Sequence, residues 1–270
     1  GAAMATAISK LVSFCILITP YLRRNSLLHL SPRNIHYCRD IVFEVVRMGF
    51  PAMMRSGLAA AAMIVLNRIA GLYSESVLAG MSVVNRVMMF PTAAILGFGQ
   101  GFQPVVGFNW GAKRFDRVHN AFMFSSKTSI IAGACMGLAL ALLARPIIGL
   151  FTETDTEMMA IAMLSIRLQC LVMPLHGWAI VVNMLYAGLG KARGAAIMSI
   201  TRQGLFFIPM LALLPLIFGA DGLAAAQFAS DLLSMTIALP LCLSALREIR
   251  SRTQEKTATR LETEGEGIAV

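Results

Sequence analysis

Residues 120–144 read NAFMFSSKTSIIAGACMGLALALLA, an apolar run interrupted by a single charge, Lys127. Lys113, Arg114 and Arg117 precede it and Arg145 follows it. A hydrocarbon layer of about 30 Å takes roughly 20 helical residues to cross. The run has that length and no two-residue alternation, so it predicts a membrane-spanning helix and not a barrel strand. Six further runs of this kind lie on either side. In chain order the seven are 2–22, 41–70, 77–104, 120–144, 157–186, 195–218 and 222–246, here lettered A to G. The whole composition agrees with them. Hydrophobic residues make up 57% and charged residues only 14%, whereas a water-soluble surface takes about a quarter. The expected fold class is an all-α, polytopic transmembrane helix bundle.

The formal charge of +9 would suit a nucleic-acid partner if the basic residues formed a patch. They do not. Arg23, Arg24, Arg33 and Arg39 lie between A and B, Lys113, Arg114 and Arg117 between C and D, and Lys191 and Arg193 between E and F. Arg247, Arg250, Arg252, Lys256 and Arg260 follow G. The alternate connections carry Glu75, then Glu153 and Asp155, then Asp221. Every second loop is basic, which is the positive-inside pattern. It predicts that the basic loops and the C-terminus are cytoplasmic and Gly1 external, and it leaves nucleic acid no role. The chain opens Gly-Ala-Ala without an initiator Met or a basic leader, and reads as part of a longer chain. Five cysteines show no metal-ligand or disulfide spacing, so no metal site is expected. The acidic and polar stretch 248–270 predicts a tail without regular structure.

Ionisable groups deep in a bilayer are expensive unless paired or facing a wet cavity, and so mark candidate sites. Arg55 and Arg68 lie in B, Arg86 in C, Lys127 in D, Arg167 in E and Arg202 in F. Asp231, in G, is the one carboxylate well inside a span. At 1.5 Å per residue Asp231 lies about 13–14 Å and Arg167 about 15 Å from the outer end, while Arg202 is about 24 Å deep. Depth therefore favours Arg167 as the partner of Asp231, with Arg202 second. The aspartate is either an ion-coupling site or half of a structural ion pair. Asn85, Arg86, Gln100, Gln103 and Asn109 form the densest polar cluster, beside glycines 97, 99 and 101. The pair Gly97/Gly101 has GxxxG spacing, and the segment suits either a gate beside a cavity or a helix end at Pro104. Pro51, Pro91, Pro174 and Pro209 interrupt B, C, E and F. His176, the sole histidine in these spans, is either a titrating group or a hydrogen-bonded packing residue. Asn67, Asn183, Gln203 and Gln227 suit bonds between helices or ligand contacts. No HExxH, GxSxG, P-loop or carboxylate pair occurs, and an enzyme is not expected.

The stretch 97–118, GFGQGFQPVVGFNWGAKRFDRV, resembles the signature after the eighth helix of the MATE (multidrug and toxic compound extrusion) transporters. Three further pieces are similar: Gly49-Phe50-Pro51-Ala52-Met53-Met54-Arg55 to the start of the seventh helix, Leu189–Ala192 with Thr201–Gly204 and Pro209 to the tenth and eleventh, and GADGLAAAQFASDLLS (219–234) to the twelfth. GAAMATAISK at the front resembles the sixth. The resemblance implies the last helix of an N-terminal lobe at 1–22, an interlobe linker at 23–40, and a six-helix C-terminal lobe at 41–247 followed by the polar tail. It implies a plasma-membrane antiporter, in bacteria of the inner membrane, exporting cationic or amphipathic small molecules in exchange for H⁺ or Na⁺, with no other cofactor. Its partners would be membrane lipid and a missing N-terminal lobe. Some members carry acids in the seventh and tenth helices; here stand Ala59–Ala62, Arg167 and Gln169, so a sodium site of that type is not expected. A flippase of lipid-linked precursors and a non-transporting membrane scaffold are the alternative readings.

Overall fold

The structure is a computed structural model and describes residues 2–22, 38–152 and 154–266. Most of the expected linker, 23–37, lies outside the described residues. The chain divides into two compact units, 1–45 and 46–270. The first holds helix α1 (Ala2–Leu22) and the start of α2 (Arg39–Tyr73). Met4, Leu11 and Ile16 on α1 are exposed.

The second unit continues with α2 and adds α3 (Glu75–Gly111), α4 (Phe115–Gly149), α5 (Thr156–Gly188) and α6 (Ala192–Ile200). A π-helical segment, Thr201–Phe207, joins α6 to α7 (Ile208–Glu266). Among the described residues, five helical stretches are long and apolar enough to cross a membrane, the last of them running from α6 into α7. No strand is found among the described residues. The protein is an all-α polytopic membrane protein.

Local chemistry sets the helix starts. The Ser74 hydroxyl accepts from the Val77 amide and caps α3, and the Asp155 carboxylate accepts from the Met158 amide at 2.9 Å and caps α5. Each side chain satisfies one of the amides that a helix start leaves free. Glu75 and Glu157 in the first turns favour the positive end of the helix dipole.

Two expectations are corrected. Helix α3 does not end at Pro104 but runs on to Gly111, because membrane helices tolerate proline where neighbours re-satisfy the freed carbonyl. Its break comes instead at Lys113, with φ 55°. Within the range given for α7, segments F and G are two helices that meet at a tight turn at Gly219, φ 60° and ψ −139°, a left-handed conformation natural to glycine. The chain doubles back there so tightly that a Cβ on Gly222 would lie 2.2 Å from the Leu214 carbonyl oxygen. Finally, α7 carries the tail as helix through Glu266. Residues 247–264 contain neither glycine nor proline, and their Glu, Lys and Arg are good helix formers.

Helix α5 occupies the middle, packed against α3, α4 and α7. Its Ile166, Val181, Val182 and Leu185 are fully buried. Small residues let the backbones close on it. A Cβ on Gly133 or Gly137 would fall 2.8 or 2.7 Å from the carbonyl oxygens of Met173 and Cys170, and one on Gly177 2.9 Å from that of Ser129. Gly97 and Gly101, the pair the sequence suggested, have nothing within 4 Å. The GxxxG pair that makes a helix contact is Gly133/Gly137. The outer faces expose Phe90, Phe108, Leu142 and Leu171, as lipid contact requires.

Candidate functional site

The π segment opens the site. A π turn holds one more residue than an α turn and so shifts the helical phase. Within this segment Arg202 faces the returning arm of α7, where its Nε donates to Asp231 Oδ1 at 2.7 Å. Gln227 Nε2 donates to the same oxygen at 3.1 Å, and the Ser230 hydroxyl donates to the Arg202 carbonyl at 2.9 Å. The Asp231 side chain is 6% exposed and that of Arg202 25%. The aspartate is thus a paired, hydrogen-bonded carboxylate, the form in which burial is tolerated.

Arg202 faces a cavity of about 230 Å³ that α2, α3, α5, α6, the π segment and α7 enclose. Arg55, His176, Asn183, Thr201 and Gln203 supply polar groups, and Leu96, Ile180, Met184 and Met198 supply apolar wall. A second cavity of about 190 Å³ shares Arg55, Asn183, Met184 and Ser199 with the first and extends to Gln100 and Gln103. Asn183 fixes the shared rim. Its Nδ2 donates to the Ala195 carbonyl at 3.1 Å and to the Ser199 hydroxyl at 3.2 Å.

Of the sequence candidates, Arg55, Gln100, Gln103, Asn183, Arg202 and Gln203 meet on these two cavities, with Asp231 behind Arg202. Arg167, Asn85 and Arg86 do not line them. Arg167 is exposed and forms no ion pair among the described residues. The partner of Asp231 is Arg202, contrary to the depth argument. Depth along a helix says nothing of which way a side chain points, and Arg202 is the one whose side chain reaches Asp231. Arg86 is exposed and Asn85 half-buried, with the Asn85 amide nitrogen lacking a partner among the described residues.

Sequence reasoning undervalued His176. It is 5% exposed and lines the larger cavity, yet neither ring nitrogen has a hydrogen-bond partner among the described residues. The hydrogen bond of a packing histidine is thus not found among the described residues. Its position as the lone histidine of the spans was the available signal. Thr92, Thr201 and Ser234 were missed, since hydroxyl residues in spans give no sign of facing a cavity.

The sequence model of the MatE family matches residues 51–213. Multidrug export protein MepA of Staphylococcus saprophyticus is 26% identical over 223 residues, covering 83% of this chain and 49% of that protein. MepA of Staphylococcus haemolyticus is 25% identical over 264 residues, with 98% and 57% covered. The chain spans about half the length of the curated relatives it matches. Among solved structures, the outward-facing conformation of a multidrug resistance MATE family transporter of the MOP superfamily superposes with a TM-score of 0.82 at 19% identity, over 94% of this chain and 56% of that one. The bent form of the Vibrio cholerae MATE transporter VcmN gives 0.79 at 20% identity, over 93% and 57%. The profile covers more than half of the sequence and the bundle has the matching fold, so this chain belongs to the MatE family of transporters.

Proposed function

We propose that the chain is the C-terminal half of a secondary-active multidrug antiporter. It works by alternating access in a bacterial inner membrane, with its tail on the cytoplasmic side, and exports cationic or amphipathic compounds in exchange for H⁺ or Na⁺. It needs no cofactor besides the transported ion and performs no enzymatic step. Lipid and an N-terminal lobe are its partners. The observation that carries the reading is the mid-bundle cavity, with apolar walls, a few convergent polar groups and a buried Arg202–Asp231 pair at a π turn. Ligand cavities have that composition, and ionisable groups held inside a span mark substrate and ion pathways. The relatives named as multidrug export proteins supply the class of cargo.

The test is a cationic dye in proteoliposomes, with the chain joined to its N-terminal lobe. A pH gradient and a sodium gradient are imposed separately. The expected result is counter-flow under one of them, reduced at least tenfold by Asp231→Asn without loss of folded protein. The 270-residue chain alone is expected not to move the dye, because one wall of the interlobe cavity is missing. Normal transport by Asp231→Asn would make the pair structural, and transport by the chain alone would refute the half-transporter reading.

A further inference from the structure

The two joined cavities are basic. Arg55 and Arg202 line them, and no carboxylate does. Asp231 sits behind Arg202, where Arg202 and Gln227 already engage it. Two guanidinium charges against one carboxylate leave a surplus of one positive charge, and it belongs to Arg55. This side chain is half-buried and has no ion pair or hydrogen-bond partner among the described residues. An unpaired guanidinium beside apolar wall carries a desolvation cost that a counter-anion relieves. The guanidinium fork also matches a carboxylate or phosphate in a two-point bond. His176 adds a second group, buried on the same cavity, whose nitrogens have no partner among the described residues. Whichever nitrogen holds the proton, the neutral ring offers one donor. A cation placed here would meet two guanidiniums and no carboxylate on the lining.

We infer that this lobe's cavity is a binding site for the carboxylate or phosphate group of an amphipathic anion, held by Arg55 and His176. The apolar body rests on Met184, Met198 and Ile180. The inference rests on the cavity being the transport cavity and deepens that reading. It assigns the anionic part of a substrate to this lobe, so the counter-charge for any cationic part comes from elsewhere.

The experiment measures binding and not transport. The full 270-residue chain in nanodiscs of zwitterionic lipid is titrated with pyrenebutyrate and with the trimethylammonium analogue of the same pyrene body. The signal is energy transfer from tryptophan; Trp178 lies two residues from His176. The anion is expected to bind at least tenfold more tightly than the cation, the worth of one charge-assisted bond, and less tightly as salt rises. Arg55→Ala removes that preference, Arg55→Lys keeps part of it, and Arg68→Ala, an exposed arginine on the same helix, leaves it unchanged. His176→Leu weakens the anion and not the cation. Doping the nanodisc with an anionic lipid tells the source: displacement of the probe identifies a lipid headgroup, and no displacement a dissolved anion. Equal affinity for the two probes, tighter binding of the cation, or equal loss of both in Arg55→Ala overturns the inference. Anion binding without dye export would instead count against the antiporter reading, so the two failures are separable.

Discussion

Asp231 accepts two hydrogen bonds on one oxygen while almost wholly removed from solvent. Cutting one partner from such a pair leaves the other charge buried and alone, which costs roughly 3–5 kcal/mol, whereas replacing both is far milder. Asp231→Ala is therefore expected to lower the melting midpoint of the solubilised protein strongly. Adding Arg202→Met should restore most of the loss; a double variant as unstable as the single one would argue against the pair. A second residue-level effect lies outside the membrane. The Met158 amide, and then the Ser76 hydroxyl, hold the Asp155 carboxyl below its ordinary value. Its folded-state pKa is the lower one, so the capping contribution is complete above the unfolded carboxylate value of about 4. It fades as pH falls through the lowered folded value. Asp155→Asn keeps a cap that does not titrate, and a melting profile flatter than wild type at acid pH is the expected outcome. Asp231 and Arg202 were both visible in the sequence, because charges stand out in apolar runs. Their pairing was not visible, since it depends on helix rotation.

Among the elements, the seam between α4 and α5 makes a tight steric demand. Gly137 leaves 2.7 Å for a Cβ, against backbone that has nowhere to go. Gly137→Ala is expected to destabilise by about 1–3 kcal/mol, the usual cost of overpacking. Gly97→Ala meets open space and should be neutral or stabilise by up to about 1 kcal/mol through helix propensity. Thermal melting of the two variants side by side checks this. The sequence displayed both glycine pairs with equal clarity and suggested the one that makes no contact. Spacing marks a small-residue face but does not say whether another helix lies on it. The π segment was equally hidden, because Thr201–Phe207 differs in no compositional way from an α-helical run.

In the whole molecule, hydropathy alone located the apolar runs, and the helices extend them by several residues at most ends. What it could not reveal was the convergence of α2, α3, α5 and the π segment on one cavity. That arrangement depends on α5 being enclosed by α3, α4 and α7, a property of the set and not of any segment. Both ends of the bundle are tied. Tyr73 donates to the Pro215 carbonyl at 2.9 Å, while Tyr186 donates to that of Leu241 at 2.8 Å and Lys191 pairs with Glu248. The Lys191–Glu248 pair is about one-third exposed, where screening leaves an ion pair roughly 0–1 kcal/mol. Lys191→Ala should thus barely change thermal stability. A large fall in melting midpoint would show that the contact carries more than its charges.

Only Ser74 separates the end of α2 from the start of α3. During synthesis the two helices must therefore enter the bilayer as a single hairpin. A loop of one residue cannot stretch across the membrane to let one helix reverse while the other stays. Rewriting the charges beside Tyr73 and Glu75 would not yield an inverted α2 next to a correct α3. Both would be turned together or both rejected to quality control, so errors in the insertion of this hairpin come in pairs.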